Sequence, residues 1–314
     1  MNAHRFTLRP LGSWATPWHA DTIWGSLCWA WREVAGQRSL EELLDRYQSA
    51  GESRTAPPFV LSDAFPAGLL PFPAGASPPR QPGVKVKAAW CRVEDFAVWA
   101  NGCAGPLEAP ADRQRPFHTS GRLHAQLSRS SGTTAGVAED GTESGQLFEM
   151  DETHFHREAF PQTEDRLLSV YVRADDADLT PLRACWEALT WKGFGKRSSV
   201  GLGAFEVVGP ESPCSWLNIG DTHNGFMSLS HFVPSAGDPT DGFWRVLAKN
   251  PKFAVERVPL PFKGNLITLT PGSRFRTAAP PQGWYGRLLP MSRPDFPKAV
   301  HCGLTLAAPV RWTG

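Results

Sequence analysis

Apolar residues recur along the chain in two periods, and the alternation between them predicts the elements. Arg5 to Leu11 reads as a short strand with Phe6 and Leu8 on one face. After a turn through Pro17, Ile23, Trp24, Leu27, Trp31 and Val34 follow helical spacing, with Asp21 placed to cap or charge the helix start. Ser39 with Glu42 three positions on reads as a capping box. The stripe Leu40, Leu43, Leu44 and Tyr47 follows, and Gly51 is the stop. Phe59 to Leu61 is compatible with a strand inside the proline- and glycine-rich stretch 57–83, most of which reads as irregular. Val84 to Trp90 predicts another strand, and Cys91 to Ala100 a short helix.

From His118 to Gly145 the chain is rich in Ser, Thr and Gly, basic early and acidic late; Gln146 to Phe155 then returns as a β-hairpin arm would. Leu168, Val170 and Val172 alternate with Ser169, Tyr171 and Arg173, the pattern of a half-buried strand. Thr180-Pro181 predicts a helix opening with Pro in its first position. Leu182, Cys185, Trp186 and Leu189 form its apolar face, it ends near Gly193, and a glycine-rich loop leads to a strand at Ala204 to Val208. Strand, helix, loop and strand make the second half of a ferredoxin-like (RRM-like) βαββαβ unit, and the first strand and helices supply the first half. The expected class is α+β. A domain over 1–210 carries a hairpin insertion at about 113–155, and a β-rich, degenerate ferredoxin-like domain spans 211–314, with clear strands at Leu266 to Leu269 and Gly303 to Ala307.

Composition changes this picture little. With 41% hydrophobic and 20% charged residues among 314, the class is soluble and globular. No apolar run suits a membrane span, no signal peptide is recognisable, and the expectation is a cytoplasmic protein. Cys28, Cys91, Cys103, Cys185, Cys214 and Cys302 form no CxxC and no zinc-finger spacing, so buried reduced thiols are expected.

Charge is more informative in its distribution than in its total of +1. Residues 113–138, 192–205 and 257–294 contain no Asp or Glu and hold 13 of the 32 Lys/Arg; the remainder sets 19 Lys/Arg against all 31 Asp/Glu. Local positive surfaces of this kind suit a polyanion.

Candidate chemistry concentrates in Lys192-Gly193-Phe194-Gly195-Lys196-Arg197-Ser198-Ser199-Val200-Gly201-Leu202-Gly203. Its glycines let backbone amides approach a ligand, Lys196 and Arg197 add charge, and Ser198 and Ser199 add hydroxyls, which together suit a sugar–phosphate backbone. The spacing is neither a P-loop nor a dinucleotide fingerprint. A tight turn with exposed cations is the competing structural reading. Among the histidines, His19 and Asp21 could serve as general acid and base in a ribonuclease, but a helix start accounts for both, and Asp63 also reads as structural. His154 and His156 would share one strand face, a possible metal pair for which spacing places no third ligand. Trp284 and Tyr285 could stack on bases, with core packing the simpler reading.

The loop GFGKRSSVGLG, lying between the last helix and last strand of the first domain, resembles the glycine-rich loop of RAMP proteins. Other segments resemble the RAMP subunit that caps the crRNA 5′ end in type III-A (Csm) CRISPR complexes. They are Thr16 to Gly25, Ser62-Asp63-Ala64-Phe65-Pro66 followed by Leu70 to Pro73, Arg129 with 130–134 and Gly145 to Phe148, and Leu269-Thr270-Pro271-Gly272-Ser273. The arginine of the thumb-like hairpin is kept, but its usual Asn-Arg-Leu surroundings read Leu127-Ser128-Arg129-Ser130 here. The resemblance implies a subunit that is not an enzyme and has no cofactor, metal or catalytic residue. It would hold the 5′ tag of the crRNA, dock the large Palm-domain subunit and the backbone RAMP subunits, and be present once per complex. RNA contact is assigned to Lys192, Gly195, Lys196, Arg197, Ser198, Ser199 and Gly201 in the loop, and to Arg122 and Arg129 in the hairpin. Two alternatives remain: a RAMP-type endoribonuclease using His19, or the equivalent subunit of a Cmr-type complex. A protein-binding adaptor, with the loop only a turn, is a third.

Overall fold

The computed structural model describes residues 1–79, 88–102, 105–125, 135–137, 143–145, 147–253 and 261–312. Arg129, Cys103 and residues 84–87 of the strand expected at 84–90 lie outside these; of its described end only Trp90 is in a strand, the short piece Trp90–Arg92.

The fold is α+β. Strand β1 (Asn2–Pro10) leads to helices α1 (Ala20–Ala35) and α2 (Gln37–Ser53), then β2 (Phe59–Pro66) and the short helix α3 (Val93–Ala100). A long hairpin, β3 (Phe117–Ala125) and β4 (Leu147–Phe155), precedes β5 (Leu168–Ala174), α4 (Asp176–Lys192) and β6 (Phe205–Val207). These build an antiparallel sheet in the order β6-β1-β5-β2, with Ser212–Pro213 also paired to β1. The later strands β7 (Gly225–Ser228), β10 (Arg274–Arg276), β11 (Trp284–Pro290) and β12 (Val300–Val310) form a second sheet, in which β12 lies between β7 and β11. Strands β8 (Val246–Lys249) and β9 (Leu266–Leu269) pair separately as a ribbon. One core cluster joins both sheets: Phe6, Ile23 and Trp186 belong to it, as do Leu229, Leu304 and Leu306.

A β-bulge in β2 makes that junction. The register with β5 slips between Leu61 and Ala64, freeing Ser62 and Asp63 from the ladder. The Asp63 amide then donates to the Leu229 carbonyl (2.8 Å), the Ser230 hydroxyl to the Leu61 carbonyl (2.5 Å), and the Tyr171 amide to Ser62 Oγ (2.8 Å).

Several local expectations are corrected. Gly36, at φ 88°, is the single joint between α1 and α2, so Ser39 lies inside the first turn of α2. Its hydroxyl accepts from Trp31 Nε1 (3.0 Å) and makes no capping box. Gly51 does not stop α2, which runs on to Ser53 and closes on Arg54 in the left-handed region. Asp21 charges the first turn of α1, as one of its two expected roles, but does not cap it; the N-cap is His19 without a side-chain bond. Val34 is exposed rather than on the apolar face. Helix α4 starts well before Pro181, from Asp175, with Asp176 and Asp178 in its first turn favoured by the helix dipole; Pro181 sits in the second turn. Strand β5 is buried on both faces, not one. Tyr171 packs edge-on against Trp216 (5.2 Å), and Arg173 donates to the Leu217 carbonyl (2.6 Å), so the segment after the first sheet covers its polar-looking face. Tyr285 is core, stacked on Phe226 at 3.9 Å. Cys28, Cys91, Cys185, Cys214 and Cys302 are buried free thiols.

Candidate nucleic-acid interface

The glycine-rich loop takes its shape from two anchors. Gly193, at φ 72°, ends α4, and its amide donates to the Leu189 carbonyl (3.0 Å). Phe194 then turns inward, stacking on Trp18 with centroids 4.0 Å apart, while Phe205 meets Trp18 edge-on. The Phe194 amide donates to the Gly203 carbonyl (2.8 Å), closing the loop at its neck. Gly195 and Gly203 are required there: a Cβ on Gly195 would lie 2.5 Å from Thr16 Cβ, and one on Gly203 would overlap the Phe194 carbonyl.

Between these anchors the cationic part stands outward. Gly195, Lys196 and Ser199 are exposed, and Ser198 to Val200 make a single 3₁₀ turn closed by Gly201 at φ 92°. Arg197 holds φ 61°, a region that a side chain occupies only when its surroundings enforce it. Its guanidinium lies over the Phe148 ring on β4 (5.2 Å). Lys192 differs from the other cations: its ammonium pairs with Glu33 on α1.

The segment Ser13–Thr16 ties this loop to the hairpin. The Lys196 amide donates to Thr16 Oγ1 (2.8 Å) and the Gly203 amide to the Ser13 carbonyl (2.8 Å). On the other side Trp14 and Thr153 exchange both backbone bonds (2.9 and 2.8 Å), and the Ser13 hydroxyl donates to Glu152 (2.8 Å). The Trp14 ring packs on Phe117 and Phe155 at the hairpin base. One hairpin face therefore continues into the loop. Register places Arg122 opposite Met150, two positions from Ser120 and Glu152, and His124 opposite Phe148, on which its ring stacks. Arg122 is exposed, 3.8 Å from Glu152 Oε1, an ion pair that leaves it largely solvated.

A second polar cluster gathers at the start of α1. Lys249 Nζ donates to both Asp21 oxygens (2.8 and 2.7 Å) and to His19 Nδ1 (3.0 Å), and His301 Nε2 lies 3.3 Å from Asp21. His231 Nδ1 meets Asp63 Oδ2 at 2.6 Å, and Asp63 Oδ1 accepts from the Ala20 amide (2.8 Å). Burial pushes His19 and His301 down to about 4 from an ordinary 6.5. Burial alone would raise Asp63, but the neighbouring His231 outweighs it and holds the carboxyl near 2. Sequence reading singled out His19, Asp21 and Asp63 but missed His231, Lys249 and His301, which lie far off along the chain.

These groups predict acid lability. Unfolded, the two histidines take up protons below about pH 6.5; folded, they resist until about pH 4, so stability falls across that window as pH drops. Asp63 extends the loss from about pH 4 toward 2, because the unfolded carboxyl is protonated first. The unfolding free energy, followed by urea denaturation, is expected to fall steadily between about pH 7 and 4, by several kcal/mol on the order-of-magnitude scale of about 1.4 kcal/mol per pKa unit. A flat profile would contradict the burial of both imidazoles.

No protein-family profile matches the chain, and no curated protein matches it. Solved structures do. A chain of the Csm1–Csm4 cassette in complex with cA4 aligns over 99% of both chains, with TM-score 0.61 and 17% identity. A chain of the Csm3–Csm4 subcomplex in the type III-A CRISPR-Cas interference complex aligns over 99% of this chain and 100% of its own, with TM-score 0.55 and 12% identity. Csm4 is the component that both assemblies share. The fold of this chain is thus the one seen in those chains of the Csm1–Csm4 and Csm3–Csm4 assemblies.

Proposed function

We propose that this chain is the non-catalytic RNA-binding subunit of a type III-A CRISPR interference complex, holding the 5′ repeat-derived tag of the crRNA in antiviral defence. The observation that carries this reading is the cationic loop, clamped through Ser13–Thr16 to the base of the hairpin. Lys196, Arg197, Ser198 and Ser199 stand on one outward turn, and Arg197 is held against Phe148 of the arm. Preset cations and hydroxyls of this kind contact phosphates and sugars without reading sequence. Gly195 and Gly201 shape the turn, and Arg122 extends the positive surface along the hairpin. Lys192 flanks it, and Arg129 would extend it further.

The sheet order β6-β1-β5-β2, with helices between its first two and last two strands, supports a ferredoxin-like domain over 1–210. Residues 211–314 form the β-rich second domain in this reading. The large Palm-domain subunit and the backbone RAMP subunits are the proposed partners, each chain entering one complex in the cytoplasm. The solved likenesses in assemblies with Csm1 and with Csm3 support these partners. So does the ribbon β8–β9, which exposes Val246, Leu247 and Ile267 as a neighbouring subunit would require. Among the described residues, no helix is long and apolar enough to cross a membrane. A catalytic role for His19 fits the geometry less well, because the imidazole is turned into the buried cluster with Lys249 on its Nδ1.

The test is a salt series on the reconstituted complex. Lys196→Ala with Arg197→Ala should weaken tag-RNA binding and flatten the log–log salt slope by roughly 0.7 per lost phosphate contact, about 1.4 together. An unchanged slope would favour the adaptor reading, and cleavage of repeat RNA abolished by His19→Ala would favour the endoribonuclease.

A further inference from the structure

We propose that His118, His154 and His156 form a binding site for a zinc-class transition-metal ion at the base of the hairpin. The ladder supplies the ligand that sequence spacing lacked. His118 on β3 is directly opposite His154 on β4, and both point away from the face that carries Phe117 and Phe155. The His156 amide donates to the Pro116 carbonyl (2.8 Å), prolonging the ladder, so its imidazole emerges on the same face as His154. Ring centroids of His118 lie 5.1 Å from His154 and 6.1 Å from His156, inclined at 64° and 68°. Two imidazoles bound to one ion at a metal–nitrogen distance of about 2.0–2.1 Å have centroids about 5 Å apart. The first pair already meets that spacing, and the second meets it after a rotamer change of partly exposed side chains.

The trio also has the proton chemistry of a ligand set. Burial, then His118, Arg157 and His156, push His154 below the ordinary imidazole value. The neutral imidazole is the form that binds metal. Glu152 is the carboxylate near His154; its own bond to the Ser13 hydroxyl leaves solvent as the source of the fourth ligand. The strands themselves are fixed by Trp14 against Phe117 and Phe155, so the ligands stand on a braced ladder rather than a free loop.

The buried trio His19, Asp63 and His231 is the rival, since its ligand atoms lie within 4.8 Å of one another. Its two rings are only 4.0 Å apart, too close for separate positions on one ion. The place of a cation is also taken: Lys249 Nζ is 3.0 Å from His19 Nδ1, and His231 Nδ1 is engaged by Asp63. An ion on the hairpin would instead staple β3 to β4 at the point where the arm leaves the body.

The experiment uses the full chain without an affinity tag, stripped with chelator and titrated near neutral pH. Co²⁺ is followed by visible absorption and Zn²⁺ by calorimetry. One ion per chain is expected, with cobalt bands that zinc displaces, and with binding weakened roughly tenfold or more in His118→Ala and in His154→Gln. His118 is exposed, so its variant should keep the wild-type melting temperature without metal. Three results would each overturn the site: no stoichiometric binding by the wild type, binding unchanged in His118→Ala, or binding kept there but lost in His231→Ala.

Discussion

Asp63→Ala is expected to destabilise the fold by about 3–5 kcal/mol, since each buried donor left unpaired costs about 1–3 kcal/mol. The carboxylate accepts from three donors, namely the Ala20 amide, the His231 amide and the His231 ring. Its own residue is the bulged one that joins the first sheet to the 229–231 segment. Removing it leaves these three donors buried without an acceptor. Urea denaturation followed by tryptophan fluorescence would measure the loss. A change below about 1 kcal/mol would mean that water or a neighbour replaces the carboxylate. Asp63→Asn keeps an acceptor for the Ala20 amide and should fall between the two.

Trp18→Ala should cost a similar amount, about 3–5 kcal/mol, for a different reason: it empties a core site. Trp18 is 5% exposed, stacked on Phe194 and edge-on to Phe205, so its indole is the floor on which the glycine-rich loop rests. Its backbone carbonyl also accepts from the Ala64 amide (2.9 Å), a bond the substitution leaves intact. The lost ring should therefore loosen the loop before it disturbs the sheet. Tag-RNA binding by the assembled complex is expected to weaken even where the variant stays folded, since Lys196 and Arg197 lose their fixed position. Trp191→Ala is the control. That ring is 91% exposed near the end of α4, just before the loop, and its removal should stay within about 0.5 kcal/mol. Equal losses for both tryptophans would refute the packing argument.

Much of the frame was legible because it is local. The glycines after Trp186, the apolar faces of α1 and α4, and the return of the hairpin through Phe148 each follow from residues close in sequence. What failed was mostly a matter of partners far along the chain. The alternation in β5 is genuine, yet Trp216 and Leu217 arrive forty residues later to bury its polar side, and periodicity contains no trace of that. Ser39 and Glu42 have capping-box spacing, but Gly36 turns the chain so early that Ser39 faces Trp31 instead. Pro181 falls in the second turn of α4 rather than at its start because the helix begins from Asp175, and Arg46 clamps Asp178 in the first turn with two 2.7 Å bonds. In the candidate site, the loop cations were visible from charge and glycine spacing alone. Their link to Phe148, and the supply of Lys249, His231 and His301 to the cluster at the start of α1, were not, because no spacing rule spans two hundred residues.

Strand β12 bears on how the protein is made. It lies inside the second sheet, is buried along nearly its whole length, and packs against α1 and β2, which are synthesised roughly 250 residues earlier. A ribosome delivering this chain therefore leaves the parts of α1 and β2 that meet β12 uncovered for most of translation. Such a nascent chain is a client for chaperones. Nonsense or frameshift alleles that stop before residue 300 should yield aggregates rather than a working N-terminal fragment.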